Sequence, residues 1–301
     1  MKKISIFTVA FMLLITTGMT QTSKSPVIAD GAKLIRLSDK YSFTEGPAVD
    51  KNGDIYFTDQ PNNKIIKWSA SDNSLSVFMD DAGRSNGTYF DKKGNLITCA
   101  DLNNQLWFID KNKKVTVLVK NYNGKLLNGP NDLWIDNKGG IYITDPLYVR
   151  DYWKRSPEMQ QDARCVYYLK PGKKELIRVA DRLVQPNGII GTPDNKFLYV
   201  ADIDATKVYR YDIQKDGSLN NRILFANINS DGMTIDNKGN IYTTNADGVS
   251  IFNPKGEKIE QIPTGEKWTA NVTFGGKERD KLFITASTSV FIIDMKVKGV
   301  E

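Results

Sequence analysis

The stretch Thr44–Asp59, "TEGPAVDKNGDIYFTD", decides the fold because it recurs. "SNGTYFDKKGNLITCAD" begins at Ser85, "PNDLWIDNKGGIYITD" at Pro130, "PNGIIGTPDNKFLYVAD" at Pro186 and "SDGMTIDNKGNIYTTN" at Ser230. A looser sixth copy, "ANVTFGGKERDKLFITA", begins at Ala270. Aligned on their second residue, the copies fall on Glu45, Asn86, Asn131, Asn187, Asp231 and Asn271, spaced 41, 45, 56, 44 and 40 residues apart. Periods near forty, carried by short strands and turns, mark four-stranded propeller blades.

Each copy supports that reading locally. A turn pair follows the first apolar run: Asn52-Gly53, Lys93-Gly94, Lys138-Gly139, Asp194-Asn195, Lys238-Gly239 or Arg279-Asp280. Gly, Asn and Asp supply the positive φ of tight hairpins. A β-branched and aromatic strand such as "IYFTD" comes next, and further strand-like runs complete the unit. The expected architecture is all-β: a six-bladed β-propeller of four antiparallel strands per blade, one domain over residues 33–301. The sixth unit lacks a clear fourth strand, whereas "KLIRLSD" (Lys33–Asp39) has no blade of its own. Pairing it with the last blade would close the ring and remove two exposed sheet edges.

The bulk numbers narrow the function. Of the 301 residues, 1–22 read as a signal peptide, a basic "MKK" followed by the apolar "ISIFTVAFMLLITTGMT". The expected location is therefore periplasmic or secreted, with no membrane contact once the leader is removed. The formal charge of +6 includes Lys2 and Lys3 of that leader, and the remaining Lys and Arg are scattered among acids. No basic stripe for nucleic acid exists. Cys99 and Cys165 lie in apolar strand-like runs and read as buried free thiols. There is no His. That absence excludes Ser-His-Asp and Cys-His nucleophiles, His general bases and His metal ligands.

In a propeller the first strand of each blade lines the central channel, so the six aligned side chains converge at one mouth. Each carries an acceptor oxygen, and Glu45 and Asp231 are carboxylates. Converging carboxylates repel unless a proton or a cation sits between them. A donor set of oxygens alone selects a hard ion, Ca²⁺ first, with Mg²⁺ or Mn²⁺ as alternatives. The candidate ligands are Glu45, Asn131, Asn187 and Asp231. Asn86 and Asn271 stand beside them or hold waters. The ends of the second strands return to this mouth, at Asp59, Asp101, Asp145, Asp202 and Asn245, each also readable as a turn residue. Candidate substrate contacts are Asn131, Asn86, Asp145, Tyr148 and Asn271, with Asp202 supporting the ligands from behind. The spacing of 56 marks an insertion, "PLYVRDYWKRSPEMQQDA" (Pro146–Ala163), placed at the same mouth. Its Tyr148, Tyr152 and Trp153, with Arg150, Lys154 and Arg155, suit a wall or lid over a polar ring.

Six such phrases in register, from "TEGPAVDKNGDIYFTD" through "GPNDLWIDNKGGIYITDP" to "NVTFGG", resemble the SMP-30/gluconolactonase/LRE-like family over about residues 33–296. The resemblance implies a six-bladed propeller with a divalent metal, usually Ca²⁺, at the channel mouth, and hydrolysis of sugar lactones such as gluconolactone. By position, Glu45, Asn187 and Asp231 match that family's metal ligands, and Asp231 its proton acceptor. Asn131 matches a substrate-binding Asn that in related propellers also holds the ion. Animal members carry Arg two residues before this Asn, where this chain has Gly129, so their substrate contacts do not transfer.

The expected activity is metal-assisted lactone hydrolysis by a monomer acting on a small molecule. The ion polarises the lactone carbonyl, water attacks, and Asp231 or a water it orients takes the proton. Two alternatives stay open: a non-catalytic ligand-binding propeller with a structural calcium, and an esterase or phosphotriesterase using the same mouth.

Overall fold

The computed structural model describes residues 24–301; the leader expected over residues 1–22 lies outside them. Six four-stranded antiparallel sheets surround one axis. Blade 1 comprises Thr44–Val49, Ile55–Asp59, Lys64–Trp68 and Leu75–Asp80. Blade 2 comprises Ser85–Phe90, Leu96–Ala100, Gln105–Ile109 and Val115–Val119, and blade 3 Leu133–Ile135, Ile141–Asp145, Cys165–Leu169 and Leu176–Ala180. Blade 4 comprises Pro186–Gly191, Phe197–Asp202, Lys207–Ile213 and Leu219–Ala226, and blade 5 Met233–Ile235, Ile241–Asn245, Gly248–Phe252 and Lys258–Ile262. In blade 6, Thr269–Gly275, Lys281–Ala286 and Ser289–Asp294 are followed in space by Ile35–Ser38. The expected closure is observed: Ile35–Ser38 pairs antiparallel with Ser289–Asp294, so the ring is joined by residues from both ends of the chain.

The local chemistry of the repeat explains the blades. Between the first and second strands, Asp50, Asp91, Asp136 and Asp236 each use Oδ1 to accept the backbone N–H groups two and four residues on, at 2.8 to 3.0 Å. The side chain thereby satisfies the hairpin's donors, which is why Asp opens "DKNGD", "DKKGN", "DNKGG" and "DNKGN". Aliphatic and aromatic residues of adjacent blades fill the space between sheets; Trp68, Tyr142, Tyr167 and Tyr242 are fully buried. Cys99 and Cys165 are free and buried, as expected.

At the other end of the first strands the backbones of neighbouring blades come unusually close. A Cβ on Gly46 would lie 2.0 Å from the Asn86 carbonyl oxygen, and one on Gly188 would lie 2.4 Å from that of Asp231. Only glycine permits such an approach. The pairing register shifts here as well, between Glu45 and Ala48, Ser85 and Thr88, Pro186 and Ile189, and Thr269 and Asn271. Bulges of this kind re-aim side chains. Threonines of the second strands clip the seam: Thr58 Oγ1 donates to Asn86 O and Thr244 Oγ1 to Ala270 O.

The close approach generates a stability test. Gly46 and Gly139 both have positive φ, but a Cβ on Gly139 meets nothing within 4 Å. Gly139→Ala is expected to cost about 1 kcal/mol from backbone strain. Gly46→Ala should cost roughly 1–3 kcal/mol more from overpacking, read as the difference in urea midpoints.

Candidate metal centre at the channel mouth

The first strands of blades 1, 2 and 4, and the segments leading into those of blades 3 and 5, carry the aligned residues to one cavity of about 250 Å³. Glu45, Asn86, Asn131, Asn187 and Asp231 all line it, together with Phe43, Gln60, Tyr148, Arg150, Ile203, Asp204 and Trp268. Asn271 does not line it, but its Nδ2 donates to Glu45 Oε2 at 3.3 Å. Each of the six aligned side chains is less than a tenth exposed. The convergence expected from the repeat is therefore present, with five of the six side chains on the cavity wall and Asn271 behind Glu45.

Protein contacts orient these donors. Glu45 Oε2 also accepts the Gly46 N–H at 2.8 Å. Asn187 Nδ2 donates to the Tyr148 hydroxyl at 2.9 Å, which leaves the Asn187 amide oxygen as the atom available to a cation. Trp268 Nε1 donates to Asp231 Oδ2, leaving Oδ1 free of that bond. Trp268 comes from the segment leading into blade 6 and has no counterpart in the repeated phrase, so sequence spacing could not single it out.

Burial sets the electrostatics. Desolvation pushes the Glu45 carboxyl well above the usual carboxylate range, and the neighbouring Asp231 charge adds to it. Desolvation also raises Asp231, opposed by the hydrogen bonds from Trp268 and Asn187 and by the Arg150 charge. Asp132, next to Asn131, is buried below the mouth and pushed up to about 7, again mainly by desolvation. It went unremarked in the sequence because only its neighbour sits in the repeat position.

Among the described residues, no three Asp, Glu, His or Cys side chains gather into a cluster. The donor set is instead mixed: two carboxylates and the amide oxygens of Asn131 and Asn187. It fits a hard divalent cation, because the donors are all oxygens and two of them are buried carboxylates, whose mutual repulsion a cation relieves.

The ends of the second strands have a different job from the ligands. Asp59 Oδ1 accepts the N–H groups of Ser42 and Phe43. Asp202 accepts those of Val184 and Gln185. Asp145 accepts those of Asn128 at 3.0 Å and Gly129 at 2.9 Å. Each carboxylate ties down the segment that enters its own blade, just before the aligned polar residue. The expectation that Asp145 contacts substrate is corrected accordingly: the residue is fully buried, is absent from the cavity wall, and spends both oxygens on backbone donors. Asp202 holds the segment preceding Asn187, behind the mouth.

Asp101 departs from this pattern. Its Oδ2 accepts Arg150 Nε at 3.0 Å and the Tyr152 hydroxyl at 2.5 Å, and its carbonyl accepts Trp153 Nε1 at 2.9 Å. All three partners belong to the inserted segment. Tyr148 and Arg150 of that segment face the cavity. Tyr152 and Trp153 are anchors, and Arg155 donates to Asn128 O while stacking 4.0 Å from the Trp153 ring centroid.

Known proteins resemble this chain in sequence and fold. A gluconolactonase of Zymomonas mobilis is 28% identical over 292 residues, covering 87% of this chain and 81% of its own length. The solved structure of a gluconolactonase from Xanthomonas campestris superposes with a TM-score of 0.81 at 27% identity, over 89% of this chain and 90% of that one. The diisopropyl-fluorophosphatase of Loligo vulgaris is 25% identical over 251 residues, 73% of this chain and 78% of its own. The SMP-30/Gluconolactonase/LRE-like region matches residues 43–288, and the chain belongs to that family.

Proposed function

We propose that this chain is a lactonase that hydrolyses sugar lactones at the mouth lined by Glu45, Asn131, Asn187 and Asp231, with a divalent cation, Ca²⁺ first, held by those four side chains. The observation that carries the proposal is the pair of buried carboxylates set among amide oxygens in a solvent-open cavity. Family membership and the likeness to named gluconolactonases support the substrate class. A bound cation supplies stabilisation for negative charge developing on the lactone carbonyl oxygen.

The protein's own groups divide the remaining work. Tyr148 fixes the Asn187 amide, Asn271 steadies Glu45, and Trp268 occupies Asp231 Oδ2. The proton released by the attacking water goes to Asp231, or to a water that it orients. Asn86 and Asn131, which line the cavity, hydrogen-bond the substrate in this reading. The leader points to a periplasmic or secreted enzyme, and we take the working unit to be a monomer. The fluorophosphatase likeness favours a second reading, in which the same mouth opens phosphotriesters or other esters. A panel of aldonolactones, aryl esters and phosphotriesters, followed by pH-stat with Ca²⁺ present, separates the two; turnover of phosphotriesters alone would overturn the lactone assignment.

Two further outcomes are expected. Asp231→Asn keeps an oxygen ligand but removes the base, so calcium binding by calorimetry should persist while kcat falls about 100-fold or more. Full activity with calcium retained eliminates Asp231 as the base. The second outcome concerns pH. The raised carboxyls bind protons in the folded, ion-free chain that the unfolded chain releases. Their contribution to stability is therefore present at low pH and lost as pH rises through the folded values, about 6 for Asp231 and about 7 for Asp132. A cation removes the penalty at Glu45 and Asp231. The Tm gained on adding Ca²⁺ to chelator-treated protein should consequently be larger at pH 8 than at pH 5.

A further inference from the structure

The inserted segment brings one cation to the mouth. Arg150 is the only Lys or Arg on the cavity wall among the described residues. Its Nε is bound by Asp101, a carboxylate of blade 2 whose side chain is 5% exposed, and its guanidinium lies 5.4 Å from the Tyr148 ring centroid. Held on two sides, it keeps the Nη1 and Nη2 donors unspent: among the described residues neither is hydrogen-bonded to protein. The backbone at Gly129 is close to this anchor. A Cβ on Gly129 would lie 3.2 Å from Asp101 Oδ1 and 3.3 Å from Trp153 Cζ2, because the insertion packs against that backbone.

We propose that Arg150, locked by Asp101, is the specificity-determining residue of the mouth, and that its Nη fork together with the Asp204 carboxylate reads the hydroxyl groups of a neutral, polyhydroxylated lactone. This rests on the lactonase reading and names its substrate class. Charge favours a neutral ligand. Arg150 is already balanced by Asp101, and Asp204 adds a negative charge on the same wall, so the mouth holds no surplus positive charge for an anion. A hydroxyl both donates and accepts, and therefore matches a guanidinium and a carboxylate that line one cavity. A site built to bond hydroxyls discriminates strongly against analogues that lack them.

The test is the ratio of kcat/KM for glucono-1,5-lactone to that for δ-valerolactone, which has the ring but no hydroxyls. Arg150→Met should lower this ratio about tenfold or more, mainly through KM for the hydroxylated substrate. Arg150→Lys, which keeps the charge without the fork, should fall between. Asp101→Asn should shift the ratio in the same direction, and the double variant with Arg150→Met should shift it no further than Arg150→Met alone. A ratio unchanged in a folded Arg150→Met or Arg150→Lys variant, with the wild type active on both lactones, overturns the role of Arg150 and leaves the lactonase reading standing. A wild type inactive on both lactones with Ca²⁺ present overturns the two together.

Discussion

The close passage of neighbouring backbones at the axis is the constraint on which the site depends. Gly46 and Gly188 let the first strand of one blade run against the carbonyl of the next, and the register shifts beside them turn the preceding side chains toward the channel. Hydroxyls from the second strands then fasten the seam. A side chain larger than hydrogen would push the blades apart and move the donors away from one another. The same tightness removes water, and that is why Glu45 and Asp231 carry carboxyls raised by desolvation. Packing and site chemistry are two outcomes of one backbone arrangement.

Much of this was legible in the chain because it repeats. Period, turn residues and strand composition give six blades, and the orphan "KLIRLSD" gives the closure, since local patterns suffice for each. The convergence of Glu45, Asn86, Asn131, Asn187 and Asp231 followed from one shared strand position. What remained hidden is held by contacts between unlike positions. Trp268 reaches Asp231 across 37 residues and Asp101 reaches Tyr152 across 51, with no periodicity to announce either. Asp145 illustrates the opposite error. Its position at a strand end facing the mouth was read correctly, but whether a carboxylate points into a cavity or back to its own loop depends on which donors need partners. Here the Asn128 and Gly129 N–H groups take it.

The mouth combines two kinds of structure. The ring contributes Glu45 and Asn187 from first strands, and Asn131 and Asp231 from the segments that lead into them. The insertion between the second and third strands of blade 3 contributes Tyr148 and Arg150, and is stapled back to blade 2 through Asp101. Changing the insertion would alter the outer wall without disturbing the seam beneath. Rigid positions thus carry the chemistry common to the fold, while a loop tied at defined points carries what distinguishes one chain from another.

The closure of blade 6 has a consequence for how the molecule is made. Ile35 sits opposite Ile292, so the outermost strand of the last sheet comes from a segment synthesised before any blade exists. Until Ser289–Asp294 is available, that early segment has no partner and the growing stack keeps an open flank. Assembly must end with the joining of two remote parts of the chain, a long-range step that is slow compared with the folding of any single hairpin.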